Sequence, residues 1–305
     1  DSTRAMRKHI IDRDILPVFR NRLLTEIQAE DLRALCNKVK ERGAPATAVQ
    51  IRDIVKQVYV YAIAHGEKVE NPAESVRASS IATFVPKDRA LSPLEIRLVI
   101  QYLESVATYP TIRLALRLIL LTLVRKSELI QATWDEVNFE RATWTIPKQR
   151  MKGRNPHVVY LSSQALDIFV TLHACAAGSR FVFPSRYDAE RCMSNATLNR
   201  VTQLVVQAAK TKGLPLQPFT VHDLRRTGST LLNEIGFNRD WIEKCLAHED
   251  GRSSRSVYNK AEYAEQRRHM LQEWANLVEA WGGGQTYVPK LVPRDVVVPA
   301  LSAIG

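Results

Sequence analysis

Residues 142–162 read ATWTIPKQRMKGRNPHVVYLS. Two strand-like stretches, ATWTIPK and HVVYLS, flank a basic segment, 149–156, that contains Gly153. This pattern predicts a β-hairpin. A third strand-like stretch, ATWDEVNF (132–139), comes just before it. Helical patterns lie on both sides. Upstream, Ser92-Pro93 supplies an N-cap with proline at the first helical position, opening a helix to about Val106, and another covers 111–124. Downstream, helices are predicted over 164–176, 195–210, 220–235, 239–246 and about 257–281. The fold class is therefore mainly α with a small antiparallel β-sheet, an α+β arrangement.

The segment before residue 86 is helical throughout. DILPVFRNRLL and EIQAEDLRALCNKVKERG carry apolar residues at i, i+3, i+4 spacing, and Gly43 with Pro45 stops the second. A longer helix from about Thr47 to Gly66 places Ile51, Ile54, Val55, Val58 and Ala62 on one stripe. Weak periodicity and a proline make 79–89 a linker. The expected organisation is a helical domain over 1–85, a second domain over 86–281, and a tail over 282–305. The tail opens Gly-Gly-Gly and reads as a flexible arm or a segment docking on a neighbouring subunit. No internal repeat is visible. The chain starts at Asp1, which suggests that something precedes it.

With 305 residues, 45% of them hydrophobic, the chain can bury a substantial core. Its formal charge of +11 points to a polyanionic partner, nucleic acid first. After residue 85 there are 29 basic and 21 acidic residues, before it 14 and 11, so most of the excess lies in the second region. The longest apolar run, 114–124, is interrupted by Arg117 and falls short of the roughly 18 residues a membrane span requires. The four cysteines show no metal or disulfide spacing and read as reduced thiols in a cytoplasmic protein.

That same region carries six candidate residues for phosphodiester chemistry. Arg125 lies in TLVRKSEL, directly after an apolar helix, with Glu128 three positions on. An Arg–Glu pair across one helical turn is common by itself. It is also how a carboxylate holds a phosphate-clamping guanidinium in place. His222 and Arg225, in VHDLRR, are three apart in the first turn of a helix, behind a Thr220 N-cap with Asp223 as its capping-box partner. A helix N-terminus favours phosphate. His248, in CLAHED, follows an apolar helix and reads equally well as a capping histidine or as a phosphate donor. Tyr258, in SVYNK, is a candidate nucleophile, with Tyr263 as its rival. A phenol of pKa about 10 needs its anion stabilised, which surrounding cations can do. Lysine at the hairpin tip can protonate a leaving oxygen. Lys152 sits there, and Lys148, Arg150 and Arg154 compete with it for phosphate contact, as does Arg226 beside the helix start.

The ordered set R-x-x-E, hairpin lysine, H-x-x-R, histidine and tyrosine resembles the tyrosine recombinases, and within them the phage and genomic-island integrases. TLVRKSELIQATWDEV, WTIPKQRMKGRNPHVVYLS, FTVHDLRRTGSTLLNEIG and LAHEDGRSSRSVYNKAEYAEQRRHMLQEWA carry the likeness, over about residues 90–281. The helical segment before them resembles the smaller core-DNA-binding domain. The resemblance implies that Arg125 and Arg225 clamp the phosphate, Lys152 is the general acid, His222 and His248 support, and Tyr258 attacks. It further implies a 3′-phosphotyrosyl intermediate with no metal and no cofactor, and a C-shaped clamp on DNA. The implied partners are double-stranded attachment sites, a homotetramer on synapsed DNA, a DNA-bending host factor and an excision factor, for a cytoplasmic enzyme that integrates or excises a mobile element. Two departures stand out. Val124 occupies the place before the arginine where relatives usually carry glycine, and the usual N-terminal arm-binding domain has no counterpart. A type IB topoisomerase-like relaxase and a non-catalytic DNA-binding protein of the same fold are the alternatives. Strand exchange between paired sites separates the first, and the intact tyrosine argues against the second.

Overall fold

The computed structural model describes residues 2–85, 88–151, 153, 155–248 and 261–292. Lys152, Arg154 and Tyr258 lie outside the described residues. The chain divides into two compact units that meet between Lys87 and Asp88.

In the first unit, α1 (Ser2–Ile10) runs through a π-helical turn, Ile11–Ile15, into the short α2 (Leu16–Phe19). The helix expected to begin near Asp14 therefore begins at Ser2, and it ends by Phe19. Next come α3 (Ala29–Glu41) and α4 (Pro45–Ala64). Gly43, at φ 87°, makes the reversal between them, a conformation that costs glycine little. Leu32, Leu35, Cys36 and Val39 of α3 pack on Ile51, Ile54 and Val55 of α4. One expectation fails on α4. Val58 is 47% exposed, and Tyr59 takes the buried place at 1%. Tyr59 stays there because its Oη donates to the Leu24 carbonyl at 2.7 Å, which removes the cost of burying a hydroxyl. The short α5 (Ala78–Ile81) buries Ile81 in the same core, so the start of the predicted linker belongs to this unit.

The second unit packs α6 (Pro93–Ser105), α7 (Pro110–Thr122), α8 (Lys126–Ile130), α9 (Ser163–Ala174), α10 (Asn195–Thr211), α11 (Val221–Ile235), α12 (Arg239–Cys245) and α13 (Ala264–Gly282) around one core. Beside them lies a three-stranded antiparallel sheet of β1 (Val137–Asn138), β2 (Thr143–Ile146) and β3 (His157–Tyr160), in that order. The predicted hairpin is β2–β3, with Trp144 opposite Val159 and Ile146 opposite His157. Alternation turns Trp144, Ile146, Val159 and also His157 into the core. Trp274 of α13 donates its indole N–H to the Leu120 carbonyl of α7 at 2.7 Å, joining the C-terminal helix to the centre of the unit. A second small sheet, β4 (Pro184–Ser185) with β5 (Asp188–Cys192), was not expected. Its strand DAERC is solvent-facing and polar, so it carries no apolar alternation to read.

The tail is only partly as expected. Up to Val292 it lies on its own α13 rather than free. Tyr287 Oη donates to Glu273 Oε2 at 3.0 Å, and the Lys290 N–H donates to the same oxygen at 2.8 Å. Residues 293–305 lie outside the described residues. Among the described residues no helix is long and apolar enough to cross a membrane.

Candidate functional site

The site is built where α7 ends. Leu123 closes the helix in the left-handed conformation, φ 58°. The left-handed residue is thus one place before Val124, which stands where relatives usually carry glycine and is itself simply buried. The turn delivers Arg125 to the N-cap of α8. Glu128 then grips Arg125 twice: Oε2 accepts its backbone N–H at 2.8 Å, and Oε1 accepts Nη1 at 2.7 Å. Glu128 is 2% exposed, so this ion pair is shielded. Removing one partner of such a pair costs about 3–5 kcal/mol.

Across from it, α11 starts at the predicted cap. Thr220 Oγ1 receives the Asp223 N–H at 3.3 Å, and Asp223 Oδ2 receives the Thr220 N–H at 2.8 Å. The other Asp223 oxygen accepts Arg226 Nη1 at 2.5 Å, so Arg226 buttresses the helix start. Arg225 is buried, and its two terminal nitrogens donate to the Leu123 and Leu246 carbonyls. Burial first, and Arg125 second, lower its pKa to about 10, which still leaves it protonated at neutral pH. His222, one turn earlier, presents itself to solvent. Partial desolvation, then the charges of Arg226 and Arg225, hold its imidazole below the usual histidine range.

The third wall is the turn after α12. Ala247 is left-handed, φ 45°, and its carbonyl accepts Arg125 Nη2 at 3.3 Å. Leu246 and Ala247, adjacent in sequence, thus hold one arginine each. His248 follows, with Nδ1 2.8 Å from Glu243 Oε2, and this hydrogen bond is the main reason the Glu243 carboxyl sits below its ordinary range. The structure therefore brings Arg125, Glu128, His222, Asp223, Arg225 and His248 into one neighbourhood.

Two sequence expectations change. Arg150, grouped with the phosphate contacts, is committed internally: Nε and Nη2 donate to Glu136, and Nη1 donates to the Glu128 carbonyl at 2.8 Å. It braces the helix that carries Arg125. Lys148 is exposed. What the sequence reading missed is His157, which is buried within reach of the charges of both arginines. Burial, then Arg267 and Arg225, push its pKa down to about 3, so it is a neutral imidazole. Its phase with Val159 in the strand was the available signal. Among the described residues no group of three or more His, Cys, Asp or Glu is placed to hold a metal ion.

Gly228 shows how tight this region is. A Cβ there would lie 2.2 Å from Leu123 Cδ2, and Leu123 is fully buried. Gly228→Ala is therefore expected to cost about 1–3 kcal/mol by overpacking. Leu123→Ala, costly alone, removes the obstructing atoms. The double variant should be more stable than the sum of the singles in a urea-unfolding cycle. Strict additivity would show that the two residues do not compete for space.

Residues 89–265 match the phage integrase family, and residues 1–79 match the phage integrase central domain. The chain belongs to the phage integrase family. Among family relatives, prophage integrase IntA of Escherichia coli K12 is 32% identical over 92% of this chain and 66% of its own length. Prophage integrase IntZ of the same strain is 34% identical over 88% and 64%, and the integrase of Shigella phage Sf6 is 31% identical over 88% and 68%. The chain thus spans just under two thirds of the length of the two prophage integrases. Among solved structures, a lambda integrase dimer bound to a COC′ core site superposes with a TM-score of 0.63 at 21% identity, covering 86% of this chain and 92% of that one. The Tn1549 transposon integrase in complex with circular intermediate DNA gives 0.66 at 16%, covering 88% and 93%. These structures share the mainly helical fold with its small antiparallel sheets.

Proposed function

We propose that this phage integrase family member is a site-specific DNA recombinase that cleaves and rejoins strands through a 3′-phosphotyrosyl bond, integrating or excising a mobile element. The observation that carries the reading is the pair Arg125 and Arg225, whose guanidiniums are both held by backbone carbonyls of the 246–247 turn. Two fixed cations side by side in a partly shielded site repel each other, and Arg125 adds to burial in lowering the basicity of Arg225. Such an arrangement is useful if an anion arrives between them. A phosphodiester supplies it, and its charge grows as the phosphorus becomes five-coordinate, which is when the arginines bind most strongly.

In the proposed reaction Tyr258 gives up its phenolic proton to water, its oxygen attacks the scissile phosphorus, and the bond from phosphorus to the 5′-oxygen breaks. Lys152 gives its proton to that oxygen. His222 and His248 hydrogen-bond to the non-bridging oxygens, with Glu243 orienting His248. A 5′-hydroxyl from a partner duplex then attacks the phosphotyrosine and restores the phosphodiester. Each step exchanges one P–O bond for another, so neither a metal nor an energy-rich cofactor is called for. The first unit acts as the core-DNA-binding domain. Lys148, Arg154 and Arg226 contribute phosphate contacts, attachment-site DNA is synapsed in a homotetramer, and a DNA-bending host factor and an excision factor set direction. Binding is expected to weaken steeply with salt.

The test is a nicked duplex taken from the DNA flanking the gene, incubated with the protein and run on a denaturing gel. A protease-sensitive covalent adduct, formed equally in the presence of a chelator, is the expected result. No adduct on any flanking sequence overturns the recombinase reading, and loss of the adduct in chelator overturns the metal-free mechanism.

A further inference from the structure

Helix α10 differs from its neighbours in what its solvent side carries. Leu198, Val201, Thr202, Val205 and Ala209 face the core. The opposite side exposes Asn199, Arg200, Gln203, Gln207 and Lys210. Asn199, Gln203 and Gln207 follow one another at i, i+4 spacing, so three carboxamides stand in one row. Over its 17 residues the helix contains no aspartate or glutamate. A solvated helix face ordinarily mixes both signs of charge, and α6, α9, α11, α12 and α13 each contain acidic residues. A face that served solubility alone has no reason to exclude carboxylates.

The row begins beside the arginine pair. Lys126, the residue after Arg125, reaches across to α10: its Nζ donates to the Asn195 carbonyl at 3.0 Å and to Asn199 Oδ1 at 3.2 Å. The first exposed turn of α10 is thereby fixed to the start of α8, which carries Arg125. Among the described residues, the side chains of Arg200, Gln203 and Gln207 make no hydrogen bond or ion pair, so their polar atoms face outward unengaged.

These side chains match one surface. A carboxamide sets a donor beside an acceptor, the complement of the N7 and N6 amino group that adenine shows in the major groove of a duplex. A guanidinium matches guanine O6 and N7 in the same way, and the groove is wide enough to admit a helix. Phosphates along its rims repel carboxylates and attract Arg200 and Lys210. We propose that α10 lies in the major groove beside the scissile phosphate, where Gln203 reads an adenine and Asn199 and Arg200 read its neighbours. The inference rests on the recombinase reading, in which Arg125 and Arg225 hold that phosphate. It adds what selects the base pairs next to the cut. From Asn199 to Gln207 the row spans about 12 Å, room for about four base pairs. Lys126 keeps that block at a set distance from the clamp.

The experiment measures binding of the full chain, at one salt concentration, to the flanking-DNA duplex it binds most tightly and to a set of duplexes each changed at a single base pair. The parent is expected to discriminate about 5- to 150-fold at base pairs within one block of about four. Gln203→Ala should lose discrimination at one A·T pair of that block and keep it elsewhere, and Arg200→Ala should do so at a neighbouring pair. Replacing that adenine by 7-deazaadenine, which lacks the N7 acceptor, should weaken the parent and leave Gln203→Ala unchanged. Gln203 is exposed and alanine is the best helix former, so the variant is expected to fold as the parent does. A Gln203→Ala profile that matches the parent's overturns the proposal. So does an equal loss on every duplex, which would make Gln203 a phosphate contact, and so does a loss spread over pairs far outside one block. Adduct formation by the parent on the nicked duplex decides the recombinase reading separately. If the adduct is absent and the Gln203 profile changes as expected, only the recombinase reading has failed; if the adduct forms and the profile is flat, only this inference has. A parent that binds none of the duplexes overturns both.

Discussion

Tyr258→Phe is expected to bind a nicked site duplex but to form no covalent adduct with it, a loss of at least about 10³-fold, as removing a covalent nucleophile commonly produces. Tyr263→Phe is expected to form the adduct at the parent's rate. The substitution at 258 removes one oxygen and leaves the ring, so folding and site affinity should be kept. Four of the other seven tyrosines of the chain have identifiable work. Tyr59 is in the core of the first unit with its hydroxyl on Leu24. The Tyr160 ring lies under the guanidiniums of Arg267 and Arg268, each 5.0 Å from its centroid. Tyr187 pairs with Arg186, and Tyr287 holds Glu273. In the segment that follows His248, from which the resemblance draws the nucleophile, the competition is between Tyr258 and Tyr263. Tyr263 caps α13 in the left-handed conformation, and its carbonyl receives the Arg267 N–H at 2.8 Å. Its backbone is held by the buried Arg267, whose side chain donates to the Val158 carbonyl of β3, which suits a structural residue better than one that must carry a DNA strand through exchange. An adduct that survives in Tyr258→Phe and disappears in Tyr263→Phe would reverse the assignment.

The parts of this fold that were legible in the sequence are those that local rules determine. The β2–β3 hairpin shows because a strand buried on one face repeats every two residues. The starts of α6 and α11 show because Ser92 before Pro93 is an N-cap and Thr220 with Asp223 is a capping box; both caps form as read, and Glu95 adds at Ser92 a reciprocal bond that was not expected. Glu128 as the support of Arg125 shows for the same reason, since the two are one turn apart. What was not legible depends on residues far apart in the chain. The exchange of Val58 for Tyr59 on α4 needs the Leu24 carbonyl, 35 positions away. Arg150 looks like a free cation in a basic segment until Glu136 and the Glu128 carbonyl are known to surround it. The carbonyls of Leu123, Leu246 and Ala247 have no side-chain signature at all, yet they hold the two arginines. Their exposure to the site follows from left-handed turns at Leu123 and Ala247, where neither residue is glycine and composition gives no warning.

That dependence on carbonyls gives Arg225→Lys its expected effect: adduct formation reduced by about 10²–10³-fold, the scale for losing one preorganised donor to a developing anion. The charge is nominally kept, so the loss measures geometry. Arg225 donates one terminal nitrogen to Leu123 and the other to Leu246, and a guanidinium carries five N–H donors, so three remain for a phosphate. An ammonium has three in all. If lysine satisfies both carbonyls it has one left, and if it turns to the phosphate it leaves buried carbonyls unpaired. Burial already lowers the arginine pKa to about 10. A lysine in the same surroundings starts from a lower value and surrenders its proton more readily, which would remove the charge too. Arg125→Lys should be milder, because Arg125 is more exposed and Glu128 beside it keeps a lysine charged. Affinity for the intact site should change little in either variant, as one phosphate contact among many is altered. Rates of adduct formation measured beside urea midpoints separate chemistry from folding. If Arg225→Lys cleaves at nearly the parent rate while folded, the bidentate clamp is not what accelerates the reaction, and charge alone at that position suffices.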